Sequence, residues 1–400
     1  MSDADVIVAG AGPVGMLAAL LAAQRGMRVL LLEQSETRRI QSRAIGITPP
    51  SLEILRTAGL ANAFIAQGIA VRSSGVSGGR MRLGRLDFSD LQGDFRFVLA
   101  IPQDRTETLL EEAILAGRSI RFLRGHRVTG CTEGNGQVAV TGECAAGGIF
   151  RYSGRYLLGC DGGKSSVRES IGVRYDGVPQ RYTFLMGDFE DHTGWGEEAR
   201  LFVTPRGSVE SFPLPGGRRR YVLRTQRYIK EYSGDYLVRE LVRRAGVDVG
   251  GVVQYWESGF GVRRFIAPSF CRGRVFLCGD AAHLMSAVGG QNMNTGFADA
   301  ELAAWLTSLL ITGRITERSA CRLYDRVRRR AARAAALRAQ FMMLAGTSGG
   351  QVWSAIRNAA TFLLLHTPVQ PLLIRLFSMQ SIPGRNLEHC QAAFERELGI

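Results

Sequence analysis

The distribution of apolar and polar positions along the chain predicts an alternation of buried strands and helices at its start. Val6-Ile-Val-Ala9 is a short apolar run rich in β-branched residues, as expected of a buried parallel strand. Gly10-Ala-Gly12-Pro13-Val14-Gly15 follows, and then an Ala/Leu-rich segment to Arg25 that predicts a helix. A second apolar run, Met27 to Leu32, predicts a strand ending on Glu33 and Gln34. Pro49-Pro50 suits a helix start, with Leu52 and Leu55 on its buried side. Residues 71–100 read as strands with Gly-rich turns that begin a second sheet. A helix returns after Ile101-Pro-Gln103, with Asp104 or Thr106 as candidate caps.

Farther on, residues 119–152 alternate around Glu133-Gly-Asn-Gly136, which predicts a hairpin. Tyr156-Leu-Leu-Gly-Cys160-Asp161-Gly162 predicts a strand ending on an acid, with a helix beginning near Ser165. Strands are expected over 183–188, 199–203, 208–212 and 220–225, and a helix over 236–245. Val275-Phe-Leu-Cys-Gly279-Asp280 is another strand with a Gly-Asp corner, followed by long helices over 294–310 and 317–346. The tail from Gln351 is apolar, broken by Pro368 and Pro371, and carries no legible chemistry.

Composition narrows the class. At 46% hydrophobic and 22% charged, the 400 residues describe an ordinary globular protein. Seven scattered cysteines form no C-x-x-C, which disfavours a metal ribbon or redox dithiol and suits a reducing cytoplasm. Asp3 and Asp5 stand where a signal peptide would be positive, and no run reaches the roughly 20 apolar residues of a spanning helix. The net charge of +14 is almost all arginine, Lys164 and Lys230 being the only lysines. No nucleic-acid-binding module accompanies that charge, so no nucleic-acid partner is expected. Ordinary packing and solvation are expected for the Arg326–Arg333 cluster and for 362–376, with contact to an anionic membrane as the alternative.

The chemistry begins at the glycines. In strand–G-x-G-x-x-G–helix–strand–acid, Gly10 permits a tight turn and Gly12 admits a diphosphate to the backbone. Gly15 lets helix and strand pack closely, and the helix amides face the anion. Glu33 stands where a carboxylate would meet an adenosine ribose. Asp161-Gly162 and Gly279-Asp280 repeat the strand-end pattern, so that three distant stretches point to one elongated cofactor, flavin adenine dinucleotide (FAD).

On the segments Val6–Gly15, Arg43-Ala44, Pro102-Gln103, Gly159–Arg168, Pro213–Gly217 and Gly273–Asp299, the chain resembles the class A flavoprotein aromatic hydroxylases. This is the para-hydroxybenzoate and phenol hydroxylase family, and within it the chain is most similar to hydroxylases that tailor aromatic polyketides. The resemblance implies an α/β fold with a Rossmann-like FAD-binding domain from residues 1–70, 101–176 and 265–335. It also implies an inserted β-sheet substrate domain from 71–100 and 177–264, and a helical C-terminal region from 336–400.

By the same resemblance FAD would be bound by Gly10, Gly12, Pro13, Val14, Gly15, Glu33, Gln34, Arg43, Gln103, Asp161, Gly279 and Asp280. Gly289, Gly290, Asn292, Met293 and Asn294 complete that set. The backbone of Ala287, Val288 and Gly289 would pass beside the flavin, with no catalytic side chain assigned. Lys164 and Arg168 fall where the family binds pyridine nucleotide loosely. Phe212, Pro213 and Tyr221 are candidates to line the substrate cavity, with core packing as the alternative, and His283 is a packing residue or a proton shuttle.

The implied reaction is hydroxylation of an aromatic, polycyclic phenolic substrate using NAD(P)H and dioxygen through a flavin C4a-hydroperoxide, by a cytoplasmic monomer or homodimer. A Baeyer–Villiger oxygenation or a flavin-binding protein without turnover are the alternatives. Two departures stand out. Ser286-Ala287-Val288 replaces the family's usual prolines, and Asn292 replaces a glycine expected to lie against the flavin. The thioredoxin-like C-terminal domain of many polyketide hydroxylases is not expected, since 70 residues follow Arg330.

Overall fold

A computed structural model describes residues 2–38, 44–79, 81–225, 235–285, 288–347 and 351–400. Its first sheet is built on the apolar strand Ala4–Ala9, which lies between Ile149–Gly159 and Val29–Leu32, parallel to both. Ile120–Leu123 extends the sheet on one side and Val275–Leu277 on the other, again in parallel. Continuous apolar runs suit these strands because helices cover them. The helix Pro13–Gln24 is apolar nearly all round and lies between the sheet and the equally buried helix Gln291–Ile311. The hairpin of His126–Gly134 and Gln137–Cys144 turns at Asn135 and Gly136, whose φ angles of 50° and 73° are those a tight hairpin needs.

A second sheet takes strands from 73–87 and from 176–266, with His283–Leu284 at its edge. All its pairings are antiparallel except Ala199–Phe202 with Ser73–Gly78. One face packs on the amphipathic helix Asp235–Ala245 through Leu185, Tyr221, Leu223, Leu237 and Leu241. The opposite face carries Phe184, Met186, Leu214 and Val222, and meets Leu365 and Ile374 from the last helices. A third, three-stranded sheet joins 46–47, 98–100 and 69–71.

Several local expectations are corrected. Pro102 occupies the N-cap of the helix Gln103–Ala116, so neither Asp104 nor Thr106 caps it. Cys271 and Cys321 form a disulfide with a Cα–Cα distance of 5.2 Å, a pairing hidden in the sequence by their separation of 50 residues. Of the Arg326–Arg333 cluster, Arg326 pairs with Glu397, Arg329 with Asp325, and Arg328 is buried. Arg330 and Arg333 of the cluster are exposed. Among the described residues no single helix is long and apolar enough to cross a membrane. Only Val352–Leu365 with Gln370–Phe377 qualifies as a pair, and the two meet at a 100° bend.

Glu301 ties the C-terminal segment to the core by accepting a hydrogen bond from the Leu387 amide at 2.6 Å. Burial pushes its carboxyl up to about 7 from an ordinary 4.5. A carboxyl raised on folding costs stability as pH rises from 4.5 to about 7, and the cost then stays constant. At 1.36 kcal/mol per pH unit the penalty reaches at most about 3 kcal/mol. Glu301→Gln keeps the acceptor and loses the charge. It is expected to match the parent in denaturant unfolding below pH 4.5 and to exceed it at pH 8; a difference independent of pH would contradict this.

Candidate functional site: a cofactor cradle opening into an apolar chamber

The carboxyl ends of the parallel strands 4–9, 149–159 and 275–277 share one edge of the first sheet, where ligands bind in open α/β sheets. A cavity of about 660 Å³ opens there and runs beneath the second sheet. Gly12, Pro13, Val14, Gly15, Gln103, Asp280, Gly289, Gly290, Asn292 and Met293 all line it.

The three first-loop glycines differ in what surrounds them. Gly10 has φ +97°, and a Cβ there would fall 2.4 Å from the Cys160 carbonyl oxygen. A Cβ on Gly15 would lie 1.9 Å from the Gly10 oxygen, because helix and strand meet without side chains between them. A Cβ on Gly12 would meet nothing within 4 Å. Gly12 is also the N-cap of Pro13–Gln24 and supplies no side-chain cap. The helix Gln291–Ile311 begins in the same way, on Gly290 with φ +63° and no side-chain cap. Two helix N-termini without side-chain caps thus border one cavity, an arrangement suited to a dianionic diphosphate and a polar ring edge.

Polar side chains brace this cradle from behind. Glu33 accepts from the amides of Ala11 and Ser35, each at 2.9 Å, and so holds the first glycine loop. Gln34 is exposed at that strand end. Gln103 accepts from the Ala44 amide at 3.1 Å and donates to Glu107 at 2.8 Å. Asp161 accepts from the Val167 amide at 3.0 Å; burial raises its carboxyl above the ordinary value, and it faces its own loop rather than the cavity. Asn294 donates to the Gly46 and Gly290 carbonyls and accepts from the Thr48 amide, fastening the start of the long helix. Arg43 and Ala287 lie outside the described residues, and Val288 opens the short turn Val288–Gly290 before that helix.

Four expectations change. Arg168 is buried, donates to the carbonyls of Ala281 and Gly163, and lies 4.0 Å from the Tyr175 ring centre. It binds the 161–163 loop to the 279–281 corner and is not open to a nucleotide, whereas Lys164 is exposed. Pro213 and Tyr221 do not line the cavity; Tyr221 packs on Phe189 across the other face of its sheet. The reason is strand parity, since Val222 and Phe212 do face the cavity. The tail supplies part of the chamber wall through Leu364, Leu365, Leu373, Leu376 and Phe377, and the sequence had shown no sign of this.

Asn292 is the fourth. It lies inside the helix Gln291–Ile311, while the unusual backbone falls on Gly289 and Gly290, with φ +70° and +63°. Its amide donates to Asp280 Oδ1 at 2.6 Å, and its Oδ1 lies 3.3 Å from His283 Nδ1. His283 Nε2 in turn lies 2.7 Å from Asp299 Oδ2, so Asn292, backed by a buried imidazole, is a brace for Asp280. Asn292→Gly removes that brace. With each hydrogen bond contributing about 1 kcal/mol, FAD affinity is expected to fall roughly 5-fold and the melting temperature by only a few degrees. Fluorescence titration with FAD beside a thermal melt checks this; unchanged affinity with a large loss of melting temperature would make Asn292 purely structural.

The comparisons with known proteins agree with this geometry. The family model described as "FAD binding domain" matches residues 3–339. This chain belongs to the FAD-binding-domain family. Rifampicin monooxygenase of Streptomyces venezuelae is 34% identical over 319 residues, covering 77% of this chain. The chain spans 65% of that relative's length, just under two thirds. Among solved structures, an aromatic hydroxylase from angucycline biosynthesis is 30% identical with TM-score 0.78, covering 95% of this chain and 77% of its own. The p-nitrophenol 4-monooxygenase of Pseudomonas putida shares the fold with TM-score 0.85 at 21% identity, covering 94% of this chain and 98% of its own. The flavoprotein hydroxylase fold therefore accounts for both sheets and for the C-terminal helices.

Proposed function

We propose that the chain is an NAD(P)H-dependent monooxygenase that hydroxylates a polycyclic phenolic substrate of secondary metabolism. The observation that carries this reading is the single cavity in which two helix N-termini without side-chain caps adjoin an apolar chamber. The naming of two relatives as rifampicin monooxygenase and as a hydroxylase of angucycline biosynthesis supports a polycyclic substrate. FAD, once bound and reduced by NAD(P)H, would supply the activation of dioxygen.

The chain's own residues do the rest in this reading. The amides of Val14 and Gly15 would hold the diphosphate, and Glu33, which keeps its loop in shape, would hold the adenosine ribose. Gln103 and Asp280 would hold hydroxyls of the ribityl chain, and Gly289, Gly290, Met293 and Asn294 would hold the ring system. Val76, Leu86, Phe184, Met186, Phe260 and Leu373 keep water from the reacting ring. Residues 1–70, 101–176 and 265–335 serve the cofactor, and 71–100 with 177–264 serve the substrate. The working unit is a monomer or homodimer acting in the cytoplasm without membrane attachment.

NAD(P)H oxidation, stimulated by a phenolic substrate and yielding a product heavier by one oxygen on a ring carbon, is the expected outcome. An ester or lactone product would replace hydroxylation by a Baeyer–Villiger reaction. Tight FAD binding with no substrate able to stimulate oxidation would leave a flavin-binding protein without turnover.

A further inference from the structure

One acid in the cavity has no partner among the described residues. Glu210 stands on the strand Val209–Leu214, where the period of two turns it and Phe212 toward the chamber. Leu201 lies beside it on one neighbouring strand, Val222 on the other, and Met186 beyond Val222. All four line the cavity, so a carboxyl interrupts an otherwise apolar row. Its exposed part opens onto the cavity and protein encloses the remainder.

The other buried acids of this sheet are treated differently. Asp188 pairs with Arg220 at 2.5 Å, Asp191 with Arg219 at 2.8 Å, and Glu240 on the covering helix with Arg244 at 2.6 Å. Arg200, the one cation among the described residues that line the chamber, is held by Glu198 at 2.6 Å and lies over the Trp195 ring. Asp280, Cys160 and Cys278 are the other ionisable groups of the lining among the described residues. Burial alone pushes the Glu210 carboxyl up to about 7, with no charged neighbour contributing. Asp161 and Glu257 each leave one carboxylate oxygen unpaired but bond through the other. Glu210 has no partner at either oxygen among the described residues, and a bare acid in a ligand chamber points to a ligand that completes it.

We propose that Glu210 receives a phenolic hydroxyl of the substrate and serves as its proton acceptor, an assignment that rests on the monooxygenase reading above. The phenol O–H bond breaks, its electron pair stays on the ring oxygen, and the proton forms an O–H bond with the Glu210 carboxylate. The resulting phenolate is the electron-rich form of the ring, and the proton returns when the phenol is re-formed in the product. Glu210 also sets specificity. It attracts a neutral phenol with an apolar body and repels an aromatic carboxylate, since the chamber offers no uncommitted cation among the described residues.

Equilibrium dialysis of the FAD-loaded protein with 1-naphthol, 1-methoxynaphthalene and 1-naphthoate tests this without turnover. A hydrogen bond to an ionised carboxylate contributes about 1.5–3 kcal/mol, so at pH 8 1-naphthol should bind about tenfold or more tighter than its methyl ether. That preference should grow from pH 6 to pH 8 as Glu210 ionises, and 1-naphthoate should bind most weakly. Glu210→Leu should abolish the preference, and Glu210→Gln should keep part of it without the pH dependence. Equal binding of 1-naphthol and its ether to the parent protein, including no binding of either, overturns the assignment. A preference retained in Glu210→Leu overturns it too. The monooxygenase reading fails by a separate route, through FAD-loaded protein that never oxidises NAD(P)H, which leaves the naphthol comparison readable.

Discussion

Asp299→Ala is expected to destabilise the protein by about 3–5 kcal/mol, the cost of removing one partner from a buried charged group. Asp299 is fully buried, and its Oδ1 accepts from Arg328 Nε at 2.6 Å. Its Oδ2 lies 2.7 Å from His283 Nε2 and accepts from the Gly279 amide at 3.0 Å. Burial alone would raise this carboxyl, but Arg328 and His283 hold it below the ordinary 3.8. A carboxyl lowered on folding contributes stability above pH 3.8 that is lost as pH falls through its folded value. At neutral pH alanine therefore forfeits the whole interaction and strands the Arg328 guanidinium. Among the described residues, Arg328 then keeps only the carbonyls of Thr295 and Gly384. Denaturant unfolding at pH 7 measures the loss. Asp299→Ala combined with Arg328→Met should be less destabilised than the sum of the single changes, because the stranded charge is gone. Strict additivity would show that the penalty lies elsewhere.

Gly12→Leu is expected to abolish FAD binding while leaving the fold intact. The φ of −71° at Gly12 suits any residue, and no protein atom lies within 4 Å of the added Cβ. The stability of the flavin-free protein should therefore change by no more than a surface substitution changes it, about 0.5 kcal/mol. The new side chain would occupy the ground before the first helix where a diphosphate has to approach, and FAD affinity should fall more than about 100-fold, or roughly 3 kcal/mol. Gly15→Ala provides the contrast. Its Cβ would lie 1.9 Å from the Gly10 oxygen, so that variant should lose stability whether or not FAD is added. Full FAD occupancy in Gly12→Leu would refute the assignment of the loop.

The sequence revealed this architecture wherever one residue's environment comes from its near neighbours. The first strand and its three glycines, the unbroken apolar runs of the helices at 13–24 and 291–311, and the Arg-rich face of the helix at 317–347 are local features. It was silent where an environment is assembled from distant segments. In Val209-Glu-Ser-Phe212, a charged residue in an alternating strand looks solvent-facing. Glu210 faces a chamber instead, because helices more than 140 residues later cover that side of the sheet. Tyr221 and Pro213 failed on parity, which periodicity cannot fix until the buried face is known. Arg168 resembled a cofactor ligand by its place in the motif, and only the tertiary approach of Tyr175 and Ala281 shows it to be a brace. Asn292 looked like an obstacle to the flavin for the same reason. Its partners, Asp280 and His283, come from the preceding loop and give the side chain a use.

The most direct test of the account is a titration of the flavin-free chain with FAD, followed by the change in flavin fluorescence. Saturable binding of one FAD per chain is predicted, with the affinity lost in Gly12→Leu and retained in Glu210→Leu, because the first residue borders the diphosphate and the second the substrate. Failure to bind FAD at that stoichiometry, or equal loss in both variants, would contradict a cofactor cradle and a substrate chamber sharing this cavity.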